Sequence, residues 1–326
     1  MQKQSARRRF TVLAPVLMMA LVAASVSFAA LDGQEAPAGS EPTSFTEVLA
    51  PAARVAVLGD GLLAGSAVAP LRPGPCGVSE NAPIELAARS SAATTVVVDN
   101  LACSDATIAD IARLQVPFIR ADTEVVFVGG VGLEFEWLEL VDACLGHSTA
   151  NSAACTEEAS VARATAANGF FSWRSILGQI ERAAPDAVIA IVAPPNPVSA
   201  SPSLLGSACC GTQIDAHETV RAVFETADAA RRAVLDSLPD RPVVYVDTVP
   251  LFAGHESDTS TPWIWSQDHE IPRSAGLLTP VGSAALAERV ATLLPTGEAA
   301  PAVERSLQQV AVVAGGTTAD QTLTSA

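Results

Sequence analysis

Any chemistry in this chain has to come from a few hydroxyls, imidazoles and carboxylates near the ends of short apolar runs. The run Val55-Ala56-Val57-Leu58 passes into Gly59-Asp60-Gly61. A buried parallel strand delivers a residue to the rim of an α/β sheet through a turn of this kind. The residue delivered here, Gly61, has no side-chain atom that could attack a substrate. Ser66 and Ser104 lie near the same rim, with Asp105 beside the second. The histidines are His147, His217, His255 and His269, the last preceded by Asp268. A Ser–His pair drawn from Ser66, Ser104, His255 and His269 would support ester hydrolysis, because such sites are defined by geometry and not by sequence position. Each residue also has a simpler role. Ser104 caps the helix that follows it, His255 bonds a loop carbonyl, and His269 stands in a charged loop. Asp60 bonds the amides of its own turn. Asp105 is a carboxylate at a helix start, favoured by the helix dipole, or a contact for a ligand. No two histidines stand four apart and no Cys-x-x-Cys pair occurs, so neither a metal site nor a cofactor is expected.

Positioning these groups takes a sheet. Five short runs rich in Val and Ile read as buried strands: 54–58, 95–101, 124–128, 187–193 and 242–247. Helical patterns fall between them. Ser104–Leu114 has Ile108, Ile111 and Leu114 on one face, 157–184 is Ala-rich and ends before Pro185, 214–238 carries paired charges, and Val281–Leu294 is amphipathic. Strands alternating with helices predict a parallel sheet covered on both faces, and strands buried on both faces read as continuous apolar runs. The long connection 194–213, with its Pro-Pro-Asn-Pro start, follows the fourth strand, where loops are often functional.

The ends and the composition bound the setting. Lys3, Arg7, Arg8 and Arg9 precede an almost uncharged stretch from Phe10 to Ala30, and Ser27-Phe28-Ala29 offers small residues to a signal peptidase. Residues 1–30 therefore read as a signal peptide, the alternative being a retained anchor. Residues 31–50 read as a flexible linker, 51–295 as one domain and 296–326 as a disordered tail. The formal charge of −16 becomes −20 once the four basic residues before position 31 are removed. That charge excludes nucleic acid and anionic membrane surfaces as partners. The six cysteines, on an exported chain, read as disulfides.

Several landmarks together resemble one family. They are Leu58-Gly59-Asp60-Gly61 with Ala64-Gly65 following, Asn100-Leu101-Ala102-Cys103-Ser104-Asp105-Ala106-Thr107, Val128-Gly129-Gly130-Val131-Gly132-Leu133-Glu134-Phe135 with Cys144-Leu145 beyond, Phe252-x-Gly254-His255, Pro262-Trp263-Ile264, and Leu278-Thr279-Pro280-Val281-Gly282. Their order and spacing resemble the actinobacterial secreted SGNH (GDSL) hydrolases, which are lipases and esterases. The resemblance implies a three-layer α/β sandwich, flavodoxin-like, with a five-stranded parallel sheet and helices on both faces. It also implies the bridges Cys76–Cys103 and Cys144–Cys155. The family's third bridge has no counterpart, which leaves Cys209 and Cys210 paired with each other, paired with another chain, or free.

The catalytic residues of the family are not carried over. Its nucleophilic Ser falls on Gly61, its oxyanion-hole Gly on Asp105 and its oxyanion-hole Asn on Val131. Its general-base His falls on Leu277 or Thr279. The expected function is a secreted, non-catalytic protein that binds a small molecule, lipid or glycan, or a protein partner. The binding site would be a remnant cleft formed by Asp60, Gly61, Ser104, Asp105, Gly130 and Val131. The competing readings are an ester hydrolase (lipase, esterase or carbohydrate deacetylase) with a relocated site, and a structural protein of the cell envelope.

Overall fold

The apolar run that ends at Gly59 forms a strand in the interior of a five-stranded parallel sheet. The computed structural model describes residues 52–91, 96–145, 152–200, 211–238, 240–266 and 274–295. The regions read as signal peptide, linker and tail lie outside the described residues, as do His147, His269, Cys209 and Cys210. The strands are β1 (Ala53–Gly59), β2 (Val96–Asn100), β3 (Val125–Gly129), β4 (Val188–Val192) and β5 (Val243–Val246). Their order is β2-β1-β3-β4-β5, every pairing is parallel, and Gly59 is in register with Gly129.

The side-chain alternation of a strand sends successive residues to opposite faces, and here both faces are apolar. Val55 and Val57 of β1, Val125 and Phe127 of β3, and Ala190 and Val192 of β4 enter one core. Ala56 and Leu58, Val126 and Val128, and Ile189 and Ile191 enter the other. The first core is covered by α2 (Pro83–Ser90), α4 (Trp137–Leu145), α8 (Pro280–Ala291) and much of α6 (Gly211–Asp236). The second is covered by the C-terminal part of α5 (Ser152–Ala183), through Trp173, Ile176, Leu177 and Ile180, and by the segment after β2. The edge strands β2 and β5 are only partly buried. No helix among the described residues is long and apolar enough to cross a membrane.

The segment after β2 departs from the regular helix expected over Ser104–Leu114. Helix α3 (Ile108–Asp110) starts later, capped by Thr107, whose hydroxyl accepts from the Asp110 amide while the Asp110 carboxylate accepts from the Thr107 amide. Ser104 therefore does not cap it. The chain continues as a π turn over Ile111–Gln115. The wide turn shifts the buried face by one residue. Leu114 points to solvent and Gln115 turns inward, where its amide bonds both backbone groups of Gly59, at 2.8 and 2.9 Å. Gly59 itself has a φ of +151°, and a Cβ there would stand 2.0 Å from the Gly129 carbonyl oxygen. No other residue fits that end of β1. Two short helices complete the frame, α1 (Gly61–Ala64) and α7 (Val249–Phe252).

Both bridges implied by the resemblance are present, Cys76–Cys103 and Cys144–Cys155. The first ties the loop before α2 to the end of β2, the second joins α4 to α5. Cys103→Ser should lower stability by about 2–4 kcal/mol through loss of a loop closure, read from the urea midpoint. Non-reducing peptide mapping should recover these two pairs, and a peptide joining Cys76 to Cys144 or Cys155 would contradict them.

Candidate ligand-binding cleft

In a parallel sheet, ligands bind beyond the C-terminal strand ends, where successive connections leave in opposite directions. Here that point lies between β1 and β3, because β2 pairs on one side of β1 and β3 on the other. A cavity of about 370 Å³ opens there, lined by the residues that follow β1, β2 and β3 and by the segment before α8.

Asp60 is the hinge between the first and third strand ends. It caps α1, accepting from the Leu62 amide on Oδ1 at 2.9 Å. Its Oδ2 accepts from the amides of Val131 at 2.7 Å and Gly132 at 3.0 Å. The carboxyl is buried, and loss of hydration pushes it up to about 6, against the pull of its three amide donors. Gly130 is not part of the cavity wall. It lies against the Asp60 carboxyl, 2.5 Å from where a Cβ would stand.

Gly61 faces Leu277. A Cβ on Gly61 would meet Leu277 Cδ1 at 3.2 Å and Ser66 Oγ at 3.3 Å. Leu277 is held in place by its strand-like pairing with 263–265: Trp265 N donates to Leu277 O at 2.8 Å, Gly276 N to Trp265 O at 3.0 Å and Thr279 N to Trp263 O at 2.9 Å. Trp137 Nε1 donates to Ala275 O and fixes the same segment from α4. Thr279, the other position at which the family's base could fall, does not line the cavity. Its hydroxyl caps α8 by accepting from Gly282 N.

Asp105 lines the cavity with a φ of +61°, the left-handed conformation that glycine adopts without strain. The turn thus keeps the backbone shape of the glycine that resemblance puts there. Asp105 precedes the Thr107 cap by two residues, outside the helix. Val131 is buried in the first core and supplies only its backbone amide to Asp60. Ser66 and Ser104 share a hydrogen bond of 2.6 Å, and Ser104 donates onward to the Cys76 carbonyl at 3.1 Å.

The described histidines stand away from the cavity. His255 stacks on Trp263 and bonds the Thr261 carbonyl, the loop role expected of it. His217 lies 3.5 Å from the Asp258 carboxylate, which also accepts from Ser199 Oγ at 2.7 Å. The carboxylate, not the imidazole, sits between the other two groups. A base cannot take the hydroxyl proton in that order. Among the described residues no group of three or more His, Cys, Asp or Glu is placed to hold a metal ion.

The loop that carries Val131 is anchored by a buried ion pair that the sequence did not signal. Arg231 of α6 donates through Nη2 to Glu134 Oε2 at 2.7 Å, and its Nε lies 2.6 Å from Oε1. Trp173 Nε1 of α5 donates to the same Oε1 at 2.5 Å. Both charged side chains are 1 % exposed.

No protein-family model matches the sequence, and no curated protein does. Solved structures do. The extracellular lipase from Streptomyces rimosus superposes with a TM-score of 0.65 at 20 % identity, over 75 % of this chain and 100 % of that one. The phospholipase A1 from Streptomyces albidoflavus NA297 gives 0.64 at 18 % identity, again over 75 % and 100 %. With its five parallel strands, its helices on both faces and these likenesses, the chain has the α/β fold of the SGNH hydrolases.

Proposed function

We propose that this chain is an exported, non-catalytic binding protein built on the SGNH-hydrolase fold, with its ligand held in the cleft beyond β1 and β3. One observation carries the reading: glycine and leucine face each other across Gly61 and Leu277, at the edge of a cavity that remains about 370 Å³ in volume. Acyl transfer needs a nucleophile beside a base, and the fold presents neither at that pair. Val131 offers no side-chain amide for an oxyanion, a donor worth about 10²–10³ in rate. The open cavity supports binding over a purely structural role. The two disulfides support export, as does the extracellular setting named for the Streptomyces rimosus lipase.

The test is turnover of p-nitrophenyl acetate, p-nitrophenyl butyrate and acetylated xylan by purified protein lacking residues 1–30. Rates should equal those of buffer. Gly61→Ser alone should restore nothing, and Gly61→Ser with Leu277→His should stay far below a functional esterase because Val131 still offers no side-chain donor and Asp105 adds a carboxylate beside the oxyanion position. Turnover by the wild type that survives repurification and is lost in Ser66→Ala, Ser104→Ala or His269→Ala would instead establish a hydrolase with a relocated site.

A further inference from the structure

We infer that the ligand of this cleft carries an organic ammonium group, an assignment that rests on the binding reading above. Three carboxylates, Asp60, Glu136 and Glu139, line the cavity together with the turn at Asp105, and no Lys, Arg or His does so among the described residues. An adjoining recess shares Glu136 and Glu139 and adds Glu158, again without a basic residue. Glu136 and Glu139 are exposed side chains at the mouth. A fatty carboxylate or a phosphodiester would enter against all of them, whereas a cation is drawn in.

The hydroxyls of the wall point the same way. Ser104 spends its hydrogen on the Cys76 carbonyl, so Ser66 must donate to Ser104 and shows the cavity only lone pairs. Thr107 spends its hydrogen on the Asp110 carboxylate. Ser66, Ser104 and Thr107 therefore accept hydrogen bonds from the cavity and do not donate into it, which suits a ligand rich in N–H. An independent observation points to a ligand atom. Ser274 lines the cavity, is 1 % exposed, and its hydroxyl has no hydrogen-bond partner among the described residues. A buried hydroxyl left without a partner is unfavourable, and a bound polar group resolves it.

The cation is organic and not a metal ion. The described carboxylates are not grouped to coordinate one. The cavity also has apolar walls, Phe135, Trp137 and Leu277, that suit a carbon body behind the charged group.

A matched series tests this in the chain lacking residues 1–30: 4-phenylbutylammonium, 4-phenylbutanol and 4-phenylbutyrate. Binding is followed by calorimetry and by the amide resonances of Ser274 and Leu277. The ammonium should move both resonances and bind at least about tenfold more tightly than the alcohol, and the carboxylate should not bind. High salt should weaken the ammonium and leave the alcohol unchanged. Glu136→Gln and Glu139→Gln, both at exposed side chains, should each weaken the ammonium roughly twofold to fivefold without affecting the alcohol. Equal binding of alcohol and ammonium, or preference for the carboxylate, overturns the ammonium assignment while leaving a binding cleft. Failure of all three to move Ser274 and Leu277 overturns the assignment and the binding reading together.

Discussion

Arg231→Met should destabilise the folded chain by about 3–5 kcal/mol, the usual consequence of removing one partner from a fully buried ion pair. The cost comes mainly from what is left behind. Glu134 would keep a charge with 1 % side-chain exposure and only the Trp173 indole as a donor among its present partners. Glu134→Gln should be of similar size, because it strands the guanidinium instead. Replacing both, as Glu134→Leu with Arg231→Met, should recover much of the loss, since apolar pairs of similar volume tolerate burial well. The remaining deficit would belong to Trp173 Nε1, which loses its acceptor. The effect should also reach the cleft, because Glu134 stands three residues after Val131 on the same loop. Urea unfolding of the three variants measures it. A change below about 1 kcal/mol in Arg231→Met would mean that the pair is hydrated in solution.

The strands were legible because each is a short local run, and a parallel strand with apolar residues on both faces leaves that signature without help from distant residues. The long helices α5 and α6 were legible for the same local reason. The segment after β2 was not. Its turn widens so that Gln115 can reach Gly59, 56 positions earlier, and periodicity within the segment carries no trace of that partner. Helices α2 and α4 were missed although Pro83 sits at a helix start and α4 is amphipathic, because each is shorter than a window that averages over three turns. In the site, the substitution at Gly61 could be read because the surrounding turn is a local motif. The sequence allows its opposite number to be Leu277 or Thr279, and only the pairing of 274–279 with 263–265 decides which of them faces Gly61. The Glu134–Arg231 pair spans 97 positions and the empty valence of Ser274 depends on a cavity, so neither had a sequence signal. The local motif at Asp60 implies a bond within its own turn, which holds for Leu62 but omits Val131 and Gly132, 71 and 72 positions away.

Those two distant amides make Asp60→Ala the other large effect. The variant leaves three backbone donors without their acceptor at the ends of β1 and β3. At about 1–3 kcal/mol for each donor left buried, and with partial relaxation, the loss should be on the order of 4 kcal/mol. Asp60→Asn should cost less, because one oxygen can still accept from Val131 and Gly132 while only Leu62 meets an N–H. The two variants also separate hydrogen bonding from charge. Burial raises the folded carboxyl from 3.8 to about 6, so the folded state holds its proton more tightly than the unfolded chain does. The contribution of Asp60 to stability is then fully present below about pH 4, falls as pH rises from about 4 to about 6, and is level above that. The span corresponds to about 3 kcal/mol. Asp60→Asn has no such proton, so wild type should lose stability relative to this variant over that interval and run parallel to it on either side. Parallel curves throughout, or a difference of opposite slope, would mean that the three amide donors outweigh the burial and keep the carboxylate ionised through the whole range.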